Sequence, residues 1–266
     1  MNGSNGNYDV IVIGAGSVGV PAAYYIAKAG LKVLVIDRYA SVGQGANKAA
    51  IGGVRATHSD TAKIQIGLKS IEILSRWRET HGDNIEWQTG GYTFVAYGPH
   101  EEKTLKGLLK IQHSYGLNID WLDSDELRQA VPALKADGLL GGTFSPEDGS
   151  ASPLLTLHAF YRQACLQGAE FRFGETVTAI PVTEGRITGV ETDRGRYGAP
   201  RVINAAGAHA NQISSLAGIE SPVNPCIPTP RQWNYRSKIT PHFDRPKDGK
   251  PGPIGFLAFS RRSLVI

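Results

Sequence analysis

The chain has 266 residues, of which 41% are hydrophobic and 20% are charged, a composition typical of a globular protein and not of a disordered or coiled-coil one. Its 28 Lys and Arg against 24 Asp and Glu give a net charge of +4, which is too small and too dispersed to indicate nucleic-acid binding. No run approaches the roughly 18 apolar residues of a membrane span, and the start, MNGSNGNYDV, carries no secretory signal. The two cysteines form no CxxC pair and no metal spacing, so we expect a reducing cytoplasm.

The first predicted elements are a strand, a tight turn, a helix and a second strand. Residues 8–13 (YDVIVI) and 31–36 (LKVLVI) are continuous apolar runs, as in parallel strands that are buried on both faces. Between them, GAGSVG at 14–19 opens a helix predicted over 17–29, and Asp37 ends the second strand. This order predicts a βαβ unit with a right-handed crossover.

Further helices are predicted from hydrophobic periodicity and from residues that cap helix N-termini. The predicted start signals are Asp60, a capping box formed by Asp123 and Glu126, and Ser152 followed by Pro153. An amphipathic helix without a clear cap is predicted over 101–115. For the helix after Pro153 we expect one apolar face that carries Leu154, Leu157, Tyr161 and Cys165.

The remaining apolar runs predict short strands, and the residues between them predict loops. Strands are expected over residues 92–97, 170–173, 177–182, 187–192 and 201–204. Residues 41–57 are rich in Gly and Ala and lack periodicity, which indicates a loop packed against something. The two cysteines form no CxxC pair and the seven histidines form no HExxH motif, so we expect no metal site.

The GAGSVG turn carries the first indication of chemistry. Gly14 would permit the tight turn, Gly16 would let a diphosphate approach the backbone, and Gly19 would let the helix lie close to the strand. The helix N-terminus offers free N–H groups and partial positive charge to an anion. Asp37 would accept hydrogen bonds from an adenosine ribose. The alternative is a Gly-rich turn in some other α/β domain.

This motif is shared by FAD and NAD sites, and two further features favour FAD. A flat ring system needs nearby backbone with few side chains, which the Gly/Ala-rich residues 43–55 would supply. Small residues after the last strand, Asn204–Gly207, would leave room for a cofactor at the carboxyl edge of the sheet. Plain close packing is the alternative explanation for both features.

Four ordered stretches resemble the family of FAD-dependent amino-acid oxidoreductases that includes D-amino-acid oxidase, glycine oxidase and sarcosine oxidase. They are YDVIVIGAGSVG…VLVID, GQGANKAAIGGVR, SPEDGSASP and RVINAAGAHA, within about residues 8–225, and they look closest to sarcosine oxidase β-subunit-like members. The resemblance implies an α/β fold: a Rossmann-like FAD-binding domain with a β-meander, and an inserted α+β substrate domain. It places the FAD-binding domain at residues 7–85 and 148–218, and the substrate domain at 86–147 and 219–266.

The resemblance also implies which residues contact the cofactor. Gly14, Gly16, Ser17 and Val18 would hold the diphosphate, and Asp37 and Arg38 would meet the adenosine end. Val177 would contact adenine through its backbone. The residues expected beside the phosphates and the isoalloxazine, or closing over the cofactor, are Gln44, Gly45, Ala46, Asn47, Ala50, Gly52, Gly53, Ala205, Ala206 and Gly207.

The family reaction is oxidation of a C–N bond, with hydride transfer from carbon to flavin N5 and hydrolysis of the resulting imine. The resemblance implies a secondary or N-methyl amino acid as substrate, such as sarcosine or proline, and oxygen or a partner subunit as electron acceptor. Arg55 would contact the substrate or the flavin, or else pair with a structural carboxylate. Lys48 stands where some members attach flavin through His, which indicates non-covalent FAD, and it would also stabilise the reduced flavin. His209 stands where the family often has an aromatic residue, so the resemblance assigns no direct role to this position.

No family motif is recognisable after about Pro225, so we expect a truncated end and an incomplete substrate domain. Two alternatives to the amine-oxidising enzyme stay open at this point. One is an NAD(P)-dependent or flavin monooxygenase-type enzyme. The other is an inactive remnant or subunit that binds FAD or another nucleotide.

Overall fold

The computed structural model of the protein describes residues 6–219 and the backbone of three short strands beyond them. The chain divides into two compact units, Met1–Ser221 and Pro222–Ile266. The helices are α1 Gly19–Lys28, α2 Thr61–Ser75, α3 Trp77–His81, α4 Pro99–Ser114, α5 Ser124–Ala130, α6 Pro153–Leu166 and α7 Ala210–Ser215. Short 3₁₀ helices span Ala46–Ala49 and Gly207–His209. The strands are β1 Val10–Ile13, β2 Val33–Asp37, β3 Gly53–Val54, β4 Gln88–Thr89, β5 Tyr92–Ala96, β6 Asp120–Asp123, β7 Gly141–Ser145, β8 Gly149–Ser150, β9 Glu170–Phe173, β10 Val177–Ala179, β11 Val182–Thr183, β12 Arg186–Ile187, β13 Gly189–Thr192, β14 Arg196–Gly198, β15 Val202–Asn204, β16 His242–Phe243, β17 Ile254–Leu257 and β18 Leu264–Val265.

A parallel sheet in the order β15-β1-β2-β9 forms the centre of the first unit. On one face, alternate strand residues such as Val10 and Val12 pack with α1 and α6; on the other, Ile11 and Ile13 pack against residues of the strands that follow β9. Both faces are therefore covered, which explains why β1 and the first four residues of β2 are apolar at every position. The strands β10, β13 and β14 form an antiparallel meander, as the fold prediction required.

The predicted helix caps are confirmed. The Asp60 carboxylate accepts a hydrogen bond from the Lys63 backbone N–H at 3.0 Å. The Asp123 carboxylate and the Glu126 side chain form a reciprocal capping box. Ser152 caps α6, and Pro153 occupies the first turn of that helix.

The predicted apolar face of α6 is confirmed at Leu157, which is buried, and at Tyr161, which packs against the core, but it is wrong at Leu154 and Cys165. Cys165 is exposed, and Leu154 is 47% exposed. The buried side of α6 combines Leu157 with Phe160 and Ala164, which recur at helical spacing and face α1. The sequence contained apolar residues on both stripes, and only the position of α1 decided which one is buried.

A second antiparallel sheet, β5-β7-β6, is formed by residues that come after β2 and before β9 in the chain. Helices α4 and α5 pack against it. A small sheet, β3-β8-β4, joins residues 53–54 to residues 149–150 and 88–89. In the second unit β16, β17 and β18 pair antiparallel; the other residues of the tail that the sequence analysis singled out lie outside the described part. Within the described residues, no helix is long and apolar enough to cross a membrane.

Candidate functional site

The carboxyl ends of three parallel strands meet at one edge of the central sheet. The Ala205 N–H, just after β15, donates to the Ile13 carbonyl at 2.9 Å, and the Gly14 N–H donates to the Ile36 carbonyl at 2.9 Å. The glycine turn, the end of β2 and the Ala205–Gly207 segment are thereby placed side by side. In open α/β sheets this edge is where ligands bind.

The three glycines of the turn have different surroundings. Gly14 has a φ of 111°, and a Cβ added there would lie 2.4 Å from the Ala205 carbonyl oxygen. A Cβ at Gly19 would lie 1.8 Å from the Gly14 carbonyl oxygen. A Cβ at Gly16 would meet nothing within 4 Å. Protein packing thus accounts for the first and last glycines, while the middle one borders open space.

Unpaired backbone donors stand at this open position. Gly16, Ser17 and Val18 precede α1, and within the described chain no hydrogen bond engages their N–H groups. The side chain of Val18 is 67% exposed. The arrangement offers free donors and the positive end of a helix dipole to an anion.

Asp37 lies directly beside the turn. Its carboxylate accepts hydrogen bonds from the Ala15 N–H at 2.7 Å and from the Tyr39 N–H at 2.8 Å. The Asp37 carbonyl accepts from the Glu175 N–H at 3.1 Å, which brings Val177 of β10 close to the same strand end. Turn, acid and β10 are therefore gathered at one place.

Arg38 and His209 contact each other at this edge. The distance between Arg38 Nη2 and His209 Nε2 is 2.8 Å. A guanidinium can only donate, so Nε2 must be the acceptor and the proton must reside on Nδ1, which lies 3.1 Å from the Gln212 Oε1. The histidine that departs from the family pattern thus contacts a residue predicted at the adenosine end.

The Gly/Ala-rich loop combines positions that packing explains with positions that it does not. A Cβ at Gly52 would lie 2.1 Å from the Ala151 carbonyl oxygen, whereas one at Gly45 or Gly53 would meet nothing within 4 Å. Asn47 donates from Nδ2 to the Pro153 carbonyl at 3.1 Å, which ties the loop to α6. Lys48 is exposed on the 3₁₀ helix of this loop.

Arg55 lines a cleft of about 370 Å³ together with Gly53, Val54, His58 and residues of α2. Its guanidinium lies over the rings of Tyr92 and Phe94, 5.2 and 5.0 Å from their centroids, and its Nη1 donates to the Thr57 carbonyl. Among the described residues no carboxylate forms an ion pair with it, so the structural pairing considered above is not found. Burial, followed by the Arg55 charge, lowers the pKa of His58.

Sequence reasoning gave no role to Asp148, although this residue is fully buried beneath the Arg55 loop. Its carboxylate accepts from the Ala56 N–H at 3.1 Å and from the Thr57 hydroxyl at 2.9 Å. Burial raises its pKa, and these hydrogen bonds partly offset that effect. The only signal in the sequence was its place in the SPEDGSASP stretch.

Comparison with known proteins agrees with this geometry. The chain matches the model of the FAD dependent oxidoreductase family over residues 9–252 and belongs to that family. The match passes the point near Pro225 where recognisable motifs end, so the family likeness extends further than the sequence motifs indicated. Members of this family depend on FAD, which is the cofactor predicted from the sequence.

Three relatives illustrate the likeness. Mitochondrial sarcosine dehydrogenase of Mus musculus is 27% identical over 221 residues, which cover 81% of this chain and 24% of that protein. Sarcosine oxidase subunit beta of Rhodobacter capsulatus is 24% identical, with 81% of this chain and 53% of that protein covered. The crystal structure of L-proline dehydrogenase from P. horikoshii superposes with a TM-score of 0.78 at 29% identity, with 84% of this chain and 58% of that chain covered. The chain therefore spans between about a quarter and three fifths of these relatives' lengths.

Proposed function

We propose that the chain forms the FAD-binding part of an oxidoreductase that oxidises the C–N bond of a secondary or N-methyl amino acid. The observation that carries this proposal is the open space in front of Gly16, because no described protein atom explains the missing side chain there. Two of the relatives are named as dehydrogenases of sarcosine and of L-proline, which supports the substrate class.

The first group of proposed contacts concerns the diphosphate and the adenosine of FAD. The free N–H groups at Gly16, Ser17 and Val18 would hold the diphosphate. Each oxygen of the Asp37 carboxylate accepts one backbone N–H and keeps further lone pairs. These would accept hydrogen bonds from the ribose hydroxyls. Arg38 and the backbone of Val177 would meet the remainder of the adenosine.

The ring system of the flavin requires a flat surface with few side chains. Gly14 belongs to the turn proposed at the diphosphate. The residues proposed beside the phosphates and the isoalloxazine, or closing over the cofactor, are Gln44, Gly45, Ala46, Asn47, Ala50, Gly52, Gly53, Ala205, Ala206 and Gly207. Gly45 and Gly53 border open space, as Gly16 does, which supports the assignment. Lys48 would add a positive charge near the ring, and as it replaces the attachment site of other members, FAD would be held without a covalent bond.

Arg55 would bind the carboxylate of the amino acid. Its guanidinium is unpaired with any described carboxylate, faces a cleft, and is held by two aromatic rings, so its donors are oriented in advance. When bound, FAD would accept the hydride from the carbon next to the amine nitrogen. The protein's contribution is to orient that carbon and to neutralise the carboxylate.

The proposed division of labour follows the segments. Residues 7–85 and 148–218 supply all four strands of the parallel sheet, which supports their assignment to the FAD-binding domain. Residues 86–147 supply β5, β6 and β7, which would belong to the substrate domain together with 219–266. Similarity to a subunit of sarcosine oxidase supports an electron-accepting partner subunit. The cytoplasmic location stays a prediction.

A spectrum of the purified protein tests the proposal. We expect a yellow protein with flavin absorbance, which sarcosine or proline bleaches in the absence of oxygen. The Gly16→Ala variant tests whether the colour depends on the space at this turn: it should fold like the wild type and lose the flavin absorbance. A colourless protein that binds NADH, or a flavoprotein that no secondary amine bleaches, would contradict the proposal.

A further inference from the structure

A buried carboxylate connects the loop that bears Arg55 to the rest of the fold. Asp148 is 0% exposed, and its two oxygens accept separately from the Ala56 N–H and the Thr57 hydroxyl. Within the described residues, no Lys, Arg or His forms an ion pair with it. We call Asp148, Ala56 and Thr57 the Asp148 network.

The backbone of Asp148 also contacts the strand whose aromatic rings support Arg55. Its carbonyl accepts from the Gly91 N–H at 2.8 Å, immediately before β5. That strand carries Tyr92 and Phe94, the two rings on which the guanidinium of Arg55 rests. One residue thus connects, through its side chain and its backbone, the loop that carries the cation and the strand that supports it.

The loop is restrained at its other bonds as well. The Thr57 carbonyl accepts from Arg55 itself, and the His58 carbonyl accepts from the Gln112 amide at 3.1 Å. Gln112 is also buried. Hydrogen bonds to buried residues therefore fix the backbone of residues 55–58, while the side chains of Arg55 and His58 face the cleft.

Burial of an unpaired carboxylate is costly unless its hydrogen bonds are made. The raised pKa of Asp148 reflects this cost. A carboxylate can only accept, so these two bonds require the Ala56 N–H and the Thr57 hydroxyl to point at Asp148. Such a group is better suited to fixing a geometry than to adding stability.

We propose that Asp148 is a positioning residue for Arg55, holding the guanidinium towards the cleft so that it can bind a carboxylate on the substrate. This inference rests on the proposed function, in which Arg55 recognises that carboxylate. It adds that selection for amino acids over amines without a carboxylate depends on a residue that never touches the substrate.

The first test compares sarcosine with sarcosinamide, in which an amide replaces the carboxylate, on the FAD-loaded full chain. We expect Asp148→Ala to reduce the preference for sarcosine by about tenfold while the FAD Kd changes less than twofold. Arg55→Gln should reduce the same preference, and the double variant should lose little more, because coupled residues are not additive. Equal losses for both compounds would mean a merely structural role and would overturn the proposal.

The second test does not depend on turnover. Hydrogen exchange of peptides that cover residues 53–58 should become at least tenfold faster in Thr57→Val, while Thr57→Ser, which keeps the hydroxyl, should match the wild type. This pair also covers the case in which Asp148→Ala fails to fold. Unchanged exchange in Thr57→Val would refute the positioning role. If exchange changes but the wild type oxidises no amine, the proposed function fails and the loop restraint stands.

Discussion

The contrast between Gly14 and Gly16 permits a sharp experiment on the cofactor site. Alanine at Gly14 would place Cβ 2.4 Å from the Ala205 carbonyl oxygen, at a φ of 111°. Backbone strain of about 1–3 kcal/mol would add to overpacking of about 1–3 kcal/mol. We therefore expect Gly14→Ala to lower the stability of the FAD-free protein by about 2–6 kcal/mol, the sum of those two ranges.

The corresponding change at Gly16 should behave oppositely. Its Cβ would meet no described atom within 4 Å, so the FAD-free Gly16→Ala protein should unfold at nearly the wild-type temperature. The methyl group would instead occupy the space that the diphosphate needs. We expect the FAD Kd to rise at least about tenfold, equivalent to about 1.4 kcal/mol.

Two measurements on each variant separate these effects. Without FAD, the Tm of Gly14→Ala should lie at least about 4 °C below that of the wild type, since 1 kcal/mol corresponds to about 2–4 °C in a domain of this size. Titration with FAD, followed by flavin fluorescence, gives the Kd. If Gly16→Ala binds FAD as tightly as the wild type, or unfolds as early as Gly14→Ala, the space at Gly16 is not a diphosphate site.

Three further changes have definite expected outcomes. Asp37→Asn should raise the Kd for FAD by about tenfold or more, because hydrogen bonds to a charged acceptor contribute about 1.5–3 kcal/mol. An unchanged Kd in an FAD titration would contradict the ribose assignment. Burial, followed by the Lys28 charge, lowers the pKa of His81, so the folded state binds a proton less readily than the unfolded state and stability is lost as the pH falls below about 6.5. The wild type should accordingly lose more Tm than His81→Gln between pH 7.5 and 5.5, and parallel losses would show that another group is responsible. Asp123→Ala should cost about 1 kcal/mol in urea unfolding through loss of the capping box, whereas Asp123→Asn, which can still cap, should cost less.

Local features of the chain could be predicted wherever neighbouring residues decide the structure. Asp60 and Asp123 cap their helices because a short side chain reaches the N–H groups two or three positions along. The glycine turn followed by a helix and Asp37 was predictable for the same reason, as its parts lie within one βαβ unit. The family resemblance added the FAD cofactor, which membership of the FAD dependent oxidoreductase family confirms.

The remaining features depended on residues far apart in the chain. Which stripe of α6 is buried was decided by α1, and Cys165 was misplaced for that reason. The partnership of Arg38 with His209 joins positions 171 residues apart, through strands that meet only in the folded sheet.

By itself, the sequence determined the βαβ unit, the helix caps and the chemistry that a Gly-rich turn and an acid can offer, because these act over a few residues. Only the tertiary structure showed that the space at Gly14 is closed by the Ala205 carbonyl, which belongs to a distant segment of the chain. It alone also showed that Asp148 lies buried beneath the Arg55 loop, 91 residues from the Thr57 hydroxyl that it binds. Contacts of this kind join segments that are far apart in the chain, so the pattern of neighbouring residues does not encode them.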